Sequence, residues 1–165
     1  MQPTPIIAAN KETFYIRNAT NHDALKVRAI IFDTLISYGL PADSADTDYD
    51  LYDIEQYYGS DRFWVLADAN DLVLGSFALF HVDDKTVELR KMYFHPIIRG
   101  KGIANEVMSF VLDKAASLGY ATITLETASV LKEAINLYKK YGFTQSCGTT
   151  HSGRCDVIMQ RNIQM

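Results

Sequence analysis

His95-Pro96-Ile97-Ile98-Arg99-Gly100-Lys101-Gly102-Ile103-Ala104-Asn105 is the stretch whose reading decides the fold. Before it, Thr86–Phe94 alternates as a strand does, with Val87, Leu89, Lys91 and Tyr93 on one side. Glu88, Arg90, Met92 and Phe94 take the other side, and Pro96 ends the run because proline cannot donate to a ladder. After it, Ile103, Val107, Phe110, Val111 and Leu118 recur at helical spacing, which predicts a helix over about 101–117 closed by Gly119. Glycines at such a junction let the backbone approach a ligand and turn its N–H groups inward. A helix N-terminus adds unsatisfied donors and about half a unit of positive charge. Together they make a place for a phosphate or pyrophosphate, although two glycines also suit a tight turn with no ligand.

Two nucleotide motifs compete for this loop. The P-loop needs an earlier glycine and a hydroxyl residue after Gly100-Lys101, and both are missing. The dinucleotide fingerprint fits Gly100, Gly102 and an acid, Glu126, at the end of the next strand. It fails at Asn105, where the third glycine belongs, and the 39 residues after Glu126 leave no room for a doubly wound half-domain.

Working outward, Phe14-Tyr15-Ile16-Arg17 reads as a strand and the polar run 18–23 as a helix cap. Val27, Ile30, Ile31, Leu35 and Tyr38 predict a helix over 24–38, and a second helix is expected over about 48–58. Strands over 63–67 and 73–80 flank a turn at Asn70-Asp71. A buried strand over 121–126, a helix over about 130–141 and two strands around 143–147 and 155–161 complete the chain. This order gives a mixed sheet with helices on its faces, with a crossover joining the strand ending at Phe94 to that ending at Glu126.

The 165 residues suit one domain, 1–165, with a core of about 12–163. A formal net charge of −4 argues against nucleic acid as a partner. No apolar run is long enough to span a bilayer, and the N-terminus has no basic flank of a signal peptide, so neither membrane nor export is expected. Cys147 and Cys155 are too few for a secreted scaffold, and two reduced thiols in a cytoplasmic protein is the simpler expectation, although a bridge between them is geometrically conceivable. They form no metal pattern with His22, His81, His95 and His151, so no metal is expected. Asp46, Asp48 and Asp50 are spaced like a calcium loop, but Leu51 stands where its glycine must be.

Arg99-x-x-Gly102-x-Ala104 resembles the acyl-coenzyme A signature of the GNAT superfamily. Leu89-Arg90-Lys91-Met92-Tyr93-Phe94-His95-Pro96 is similar to the strand and proline turn before that signature, and Ala134-Ile135-Asn136-Leu137-Tyr138-Lys139-Lys140-Tyr141-Gly142-Phe143 to the family's A-x-x-L-Y-x-x-x-G-F element. The resemblance covers nearly the whole chain. It implies an α/β (α+β) fold: a mixed, mostly antiparallel twisted sheet of six to seven strands, about four helices, and a splay between the strands ending at Phe94 and Glu126. It implies acetyl-CoA as co-substrate, with the amides of Gly100, Lys101, Gly102, Ile103 and Ala104 on the pyrophosphate and Arg99 and Lys101 adding charge. The backbone of Met92, Tyr93 and Phe94 would pair with pantetheine and polarise the thioester carbonyl.

Tyr138 matches the family's general acid, and it also shares a helix face with Leu131, Ala134 and Ile135 as a core aromatic would. Glu88 and Glu126 match glutamates that serve different members as general base, and either also suits a structural ion pair, for instance with Arg90. Leu131 departs from an asparagine that contacts pantetheine in some members. The implied activity is direct transfer of acetyl to a primary amine of a small molecule or peptide; a non-catalytic acyl-CoA sensor is the alternative. Asp46, Asp48, Asp50 and Asp53, beside Tyr49, Tyr52, Tyr57 and Tyr58, suit either a cationic acceptor or a solvated acidic face. The family also brings a homodimer as a partner state, with no interface marked by these residues.

Overall fold

Every residue of Phe63–Ala67 is buried, so this strand needs cover on both faces and belongs inside a helix-covered sheet. The computed structural model describes residues 2–163 and shows that sheet. Along the chain come β1 (Thr4–Ile7), β2 (Thr13–Asn18), α1 (Ala24–Ser37), α2 (Ile54–Tyr58), β3 (Phe63–Ala67), β4 (Val73–His81) and β5 (Thr86–Phe94). There follow α3 (Ile103–Ser117), β6 (Thr122–Thr127), α4 (Lys132–Lys140), β7 (Thr144–Ser146) and β8 (Val157–Asn162). The strands lie in the order β1-β2-β3-β4-β5-β6-β8-β7. Pairing is antiparallel at β1–β2, β2–β3, β3–β4, β6–β8 and β7–β8, and parallel at β5–β6.

Eight described strands stand where six to seven are expected. The additional one, β1, contains Pro5, which discourages a strand reading; an edge strand tolerates proline because one side of its backbone needs no partner. The expected helix over 48–58 is divided. A 3-10 turn covers Tyr49–Tyr52, Asp53 leaves helical geometry at φ −149° and ψ 74°, and its carboxylate then accepts the Gln56 N–H to start α2. Tyr38 and Leu118, expected on buried stripes, are exposed because α1 and α3 each end one residue before them.

The chain divides into two compact units. The first holds the chain up to Ala78 together with Lys91–Ile103. Its α1 buries Val27, Ile30, Ile31 and Leu35, and Trp64 stacks on Phe77 with centroids 5.5 Å apart. Each such side chain contributes about 1.5–3 kcal/mol on burial. Arg17 grips Asp23 with two bonds of 2.8 Å, and the same carboxylate accepts the Thr20 N–H at 2.9 Å, which ties β2 to the start of α1.

The second unit holds Leu79–Arg90 and the chain from Ala104 onward. Val107, Met108, Val111 and Ala115 form the buried stripe of α3, and Ile123, Leu125, Phe143 and Met159 are buried with them. The β5–β6 ladder runs only from Thr86↔Thr122 to Glu88↔Thr124; Leu89 and Arg90 add no further pair, although β6 stays paired with β8 to Thr127.

Candidate functional site

In the first unit, Gly100 and Gly102 have φ of +76° and +77°, the left-handed region in which a side chain is strained. A Cβ at either position would meet nothing within 4 Å, so the backbone faces open space there. The Arg99 N–H donates to the Pro96 carbonyl at 3.2 Å, whereas the amides of Gly100, Lys101 and Gly102 find no acceptor among the described residues. Three free donors before the first turn of α3 suit a diphosphate in number and polarity. The loop is braced from the β1–β2 turn: the Ala9 N–H donates to the Lys101 carbonyl at 2.8 Å, and Lys101 Nζ pairs with Glu12 at 2.7 Å. Arg99 donates to the Phe94 carbonyl at 3.0 Å and to Thr34 Oγ1 at 3.1 Å. Both cations expected near the phosphates therefore also fasten the loop.

Met92, Tyr93 and Phe94 are half-buried at the end of β5, and Gly75 makes room for them. A Cβ at Gly75 would lie 2.8 Å from Phe94 Cδ1 and 3.2 Å from the Tyr93 carbonyl oxygen. Lys91 just before them has φ +57°, a left-handed residue inside a strand, so the simple alternation expected along β5 is interrupted there. Its ammonium is buried, 3.0 Å from Asp48 Oδ1 and 3.3 Å from Asp50 Oδ1, and also donates to the Thr47 carbonyl at 2.9 Å. The Tyr58 hydroxyl donates to Asp50 at 2.5 Å.

This corrects both expectations for Asp48 and Asp50. Asp48 and Asp50 neither face solvent nor await a cationic acceptor; they neutralise Lys91, while Asp53 caps α2 and accepts from Asn21. A distant lysine carries no signal in the local sequence pattern. Tyr49, Tyr52 and Tyr57 remain exposed.

In the second unit, Glu88 is buried and ion-paired with Arg90, whose guanidinium lies 3.7 Å from the Phe80 ring centroid. Glu126 is paired as well. Its Oε1 accepts the His151 and Ser152 N–H groups at 2.7 and 3.2 Å, and its Oε2 lies 2.7 Å from His151 Nδ1. Each glutamate considered as a base thus already holds a cationic or N–H partner, and His151, which lies far from Glu126 in sequence and in no motif, is what sequence reasoning missed. The Glu126 hydrogen bond and charge hold the His151 imidazole above the usual histidine range.

Tyr138 is buried on α4, its ring 5.8 Å from that of Phe143. Ala104 is half-buried in the first turn of α3, and Asn105 beside it receives Lys140 Nζ at 2.8 Å and the Tyr141 hydroxyl at 3.0 Å. Among the described residues no group of three or more His, Cys, Asp or Glu is placed to hold a metal ion, and no helix is long and apolar enough to cross a membrane.

Comparison with known proteins gives the family. Residues 29–143 match the model of the Acetyltransferase (GNAT) family. The chain is 33% identical over 157 residues to the uncharacterized N-acetyltransferase YjgM of Escherichia coli K12, covering 90% of this chain and 94% of that one. Its fold matches an acetyltransferase of the GNAT family from Staphylococcus aureus Mu50 with a TM-score of 0.84 at 19% identity, over 92% of this chain and 99% of that chain. It also matches yncA from Salmonella typhimurium, solved with its cofactor acetyl-CoA, with a TM-score of 0.66 at 25% identity over 92% and 95% of the two chains. The chain belongs to the GNAT family of acetyltransferases and is an acyltransferase.

Proposed function

We propose that this protein transfers an acetyl group from acetyl-CoA directly to a primary amine of a small molecule or peptide, acting as one domain over 1–165. The observation that carries this reading is the loop of residues 99–104: beside two left-handed glycines, the amides of Gly100, Lys101 and Gly102 find no acceptor among the described residues, and the turn that bears Ala9 braces the loop. In this reading Gly100, Lys101, Gly102, Ile103 and Ala104 hold the diphosphate through their N–H groups, with Arg99 and Lys101 supplying charge. The main chain of Met92, Tyr93 and Phe94 pairs with pantetheine, and a donor there strengthens as charge builds on the thioester oxygen. The acetyl-CoA bound by yncA, a relative in fold, supports the same co-substrate.

Tyr138 is the acid that returns a proton to the leaving thiolate, supported by its place in the A-x-x-L-Y-x-x-x-G-F element. A tyrosine can bury its ring, as Tyr138 does, and keep its hydroxyl available as a polar handle. Free thiols at Cys147 and Cys155 agree with a cytoplasmic setting, and self-association as a homodimer belongs to the same reading.

The test is thiol release from acetyl-CoA across a panel of polyamines, amino acids and short peptides, with calorimetric titration of acetyl-CoA alongside. Release accelerated by at least one amine is expected. Binding of acetyl-CoA without acceleration by any amine would favour a sensor, and absence of binding would remove the acyl-CoA reading altogether.

A further inference from the structure

A set of titratable groups gathers in the second unit. Glu88 and Arg90 stand on β5, Glu126 near the end of β6, and His151 in the loop between β7 and β8. Cys155, on the same loop as His151, also lies within the field of Glu126, and burial pushes its thiol up. The loop is folded to a fixed shape: Thr150 Oγ1 donates to the Cys155 carbonyl at 2.8 Å, and the Cys155 N–H to the Ser152 carbonyl at 3.2 Å. That fold delivers the His151 and Ser152 N–H groups and the His151 ring to a single carboxylate that is only 12% exposed. The imidazole itself is 90% exposed.

With Nδ1 donating to Glu126, a neutral His151 ring carries its lone pair on Nε2, on the side away from that carboxylate. This is the relation by which a buried carboxylate orients a histidine for proton transfer. Glu126 has both oxygens engaged by N–H groups, and Glu88 has Arg90 against it, so a proton reaching either must displace a partner already bound. Nε2 of His151 needs no such displacement. Glu126 also stands two residues beyond the last β5–β6 pair, where β6 has lost its neighbour on that side.

From this juxtaposition we propose that His151 is the catalytic base of acyl transfer, taking the proton of the acceptor ammonium at Nε2, with Glu126 as its positioning residue. The proposal rests on the acetyl-transfer reading above. The ammonium gives one proton to Nε2, and the neutral amine forms its bond to the thioester carbonyl carbon. The carbon–sulfur bond breaks, and the thiolate takes the Tyr138 proton. The nitrogen loses its second proton, which restores Tyr138, and His151 releases its own to solvent. Amine, acetyl group and thiol are conserved, and no oxidant is needed.

The test is the pH dependence of kcat/KM for thiol release, with whichever amines of the panel turn over, in wild type, His151→Gln and Glu126→Gln. Imidazole titration of His151 by NMR accompanies it. Wild type should lose activity as pH falls through the His151 imidazole titration, at one pH for amines of different basicity. His151→Gln should lose about 10²-fold in kcat/KM, within the usual range for a positioned base, and should lose that limb while keeping its acetyl-CoA affinity. Glu126→Gln keeps an acceptor for Nδ1 but removes the charge, so both the limb and the NMR titration should move to lower pH together.

An active His151→Gln with an unchanged limb overturns the proposal and leaves acetyl transfer standing. A limb in Glu126→Gln that stays put while the imidazole titration moves overturns it as well. Wild type inert toward every amine removes the acetyl-transfer reading, and the proposal with it.

Discussion

Lys91 Nζ lies 3.0 Å from Asp48 Oδ1, with both side chains almost wholly withdrawn from solvent, inside the strand whose end is assigned to the co-substrate. The backbone of Lys91 is left-handed, and its chain reaches across to the segment before α2. Removing one partner of a buried pair typically costs about 3–5 kcal/mol, because the remaining charge is uncompensated. Lys91→Met should therefore lower unfolding free energy by that amount in urea titration, and adding Asp48→Asn should recover part of it. A loss under about 1 kcal/mol would mean that the pair behaves like a surface contact.

Gly75 should not tolerate a side chain. The methyl of Gly75→Ala would sit against the Phe94 ring and the Tyr93 carbonyl, and overpacking of this kind costs about 1–3 kcal/mol. Acetyl-CoA affinity should fall with stability, because the displaced residues are those assigned to pantetheine. Calorimetry on the folded variant checks this; wild-type affinity would separate residues 93–94 from binding.

Gly102→Asp places a carboxylate on the loop. Two like charges about 4 Å apart repel by about 4 kcal/mol near a protein surface, so acetyl-CoA affinity should fall more than a hundredfold. Circular dichroism should show the fold retained. Unchanged affinity would show the loop to be misassigned.

Tyr138→Phe keeps the ring packed near Phe143 and removes only the hydroxyl. Turnover should fall by about 10²-fold with acetyl-CoA affinity nearly unchanged. An unaltered rate would remove Tyr138 as the acid.

Acid should weaken the tie between β2 and α1. Burial pushes the Asp23 carboxyl up, but the Arg17 guanidinium and the Thr20 N–H outweigh it and hold the group below the usual range. A lowered folded value stabilises above the unfolded value of about 3.9, and that stability is lost as pH falls through the folded value. The urea midpoint should drop below about pH 4, and Asp23→Asn should flatten the drop. An equal drop in the variant would assign the acid sensitivity elsewhere.

Much of the fold was legible because its signals are local. The glycines at 100 and 102, the alternation before Lys91 and the 3.6-residue stripe of α3 all act within a few residues. The misread parts depend on partners distant in sequence. Pro5 hid an edge strand that only β2 completes, and Asp48 and Asp50 looked like a solvated face because Lys91 lies more than forty residues away. The pairing of Glu126 with His151 depends on a loop fold that carries no periodic signal.

The central claim is that the main-chain N–H groups of this loop bind the diphosphate of the co-substrate, and amide chemical shifts report it most directly. Titration of ¹⁵N-labelled protein with coenzyme A should shift the Gly100, Lys101, Gly102, Ile103 and Ala104 amides most, and pantetheine, which lacks the diphosphate, should leave them in place. Coenzyme A binding that leaves these five amides unmoved would contradict the account.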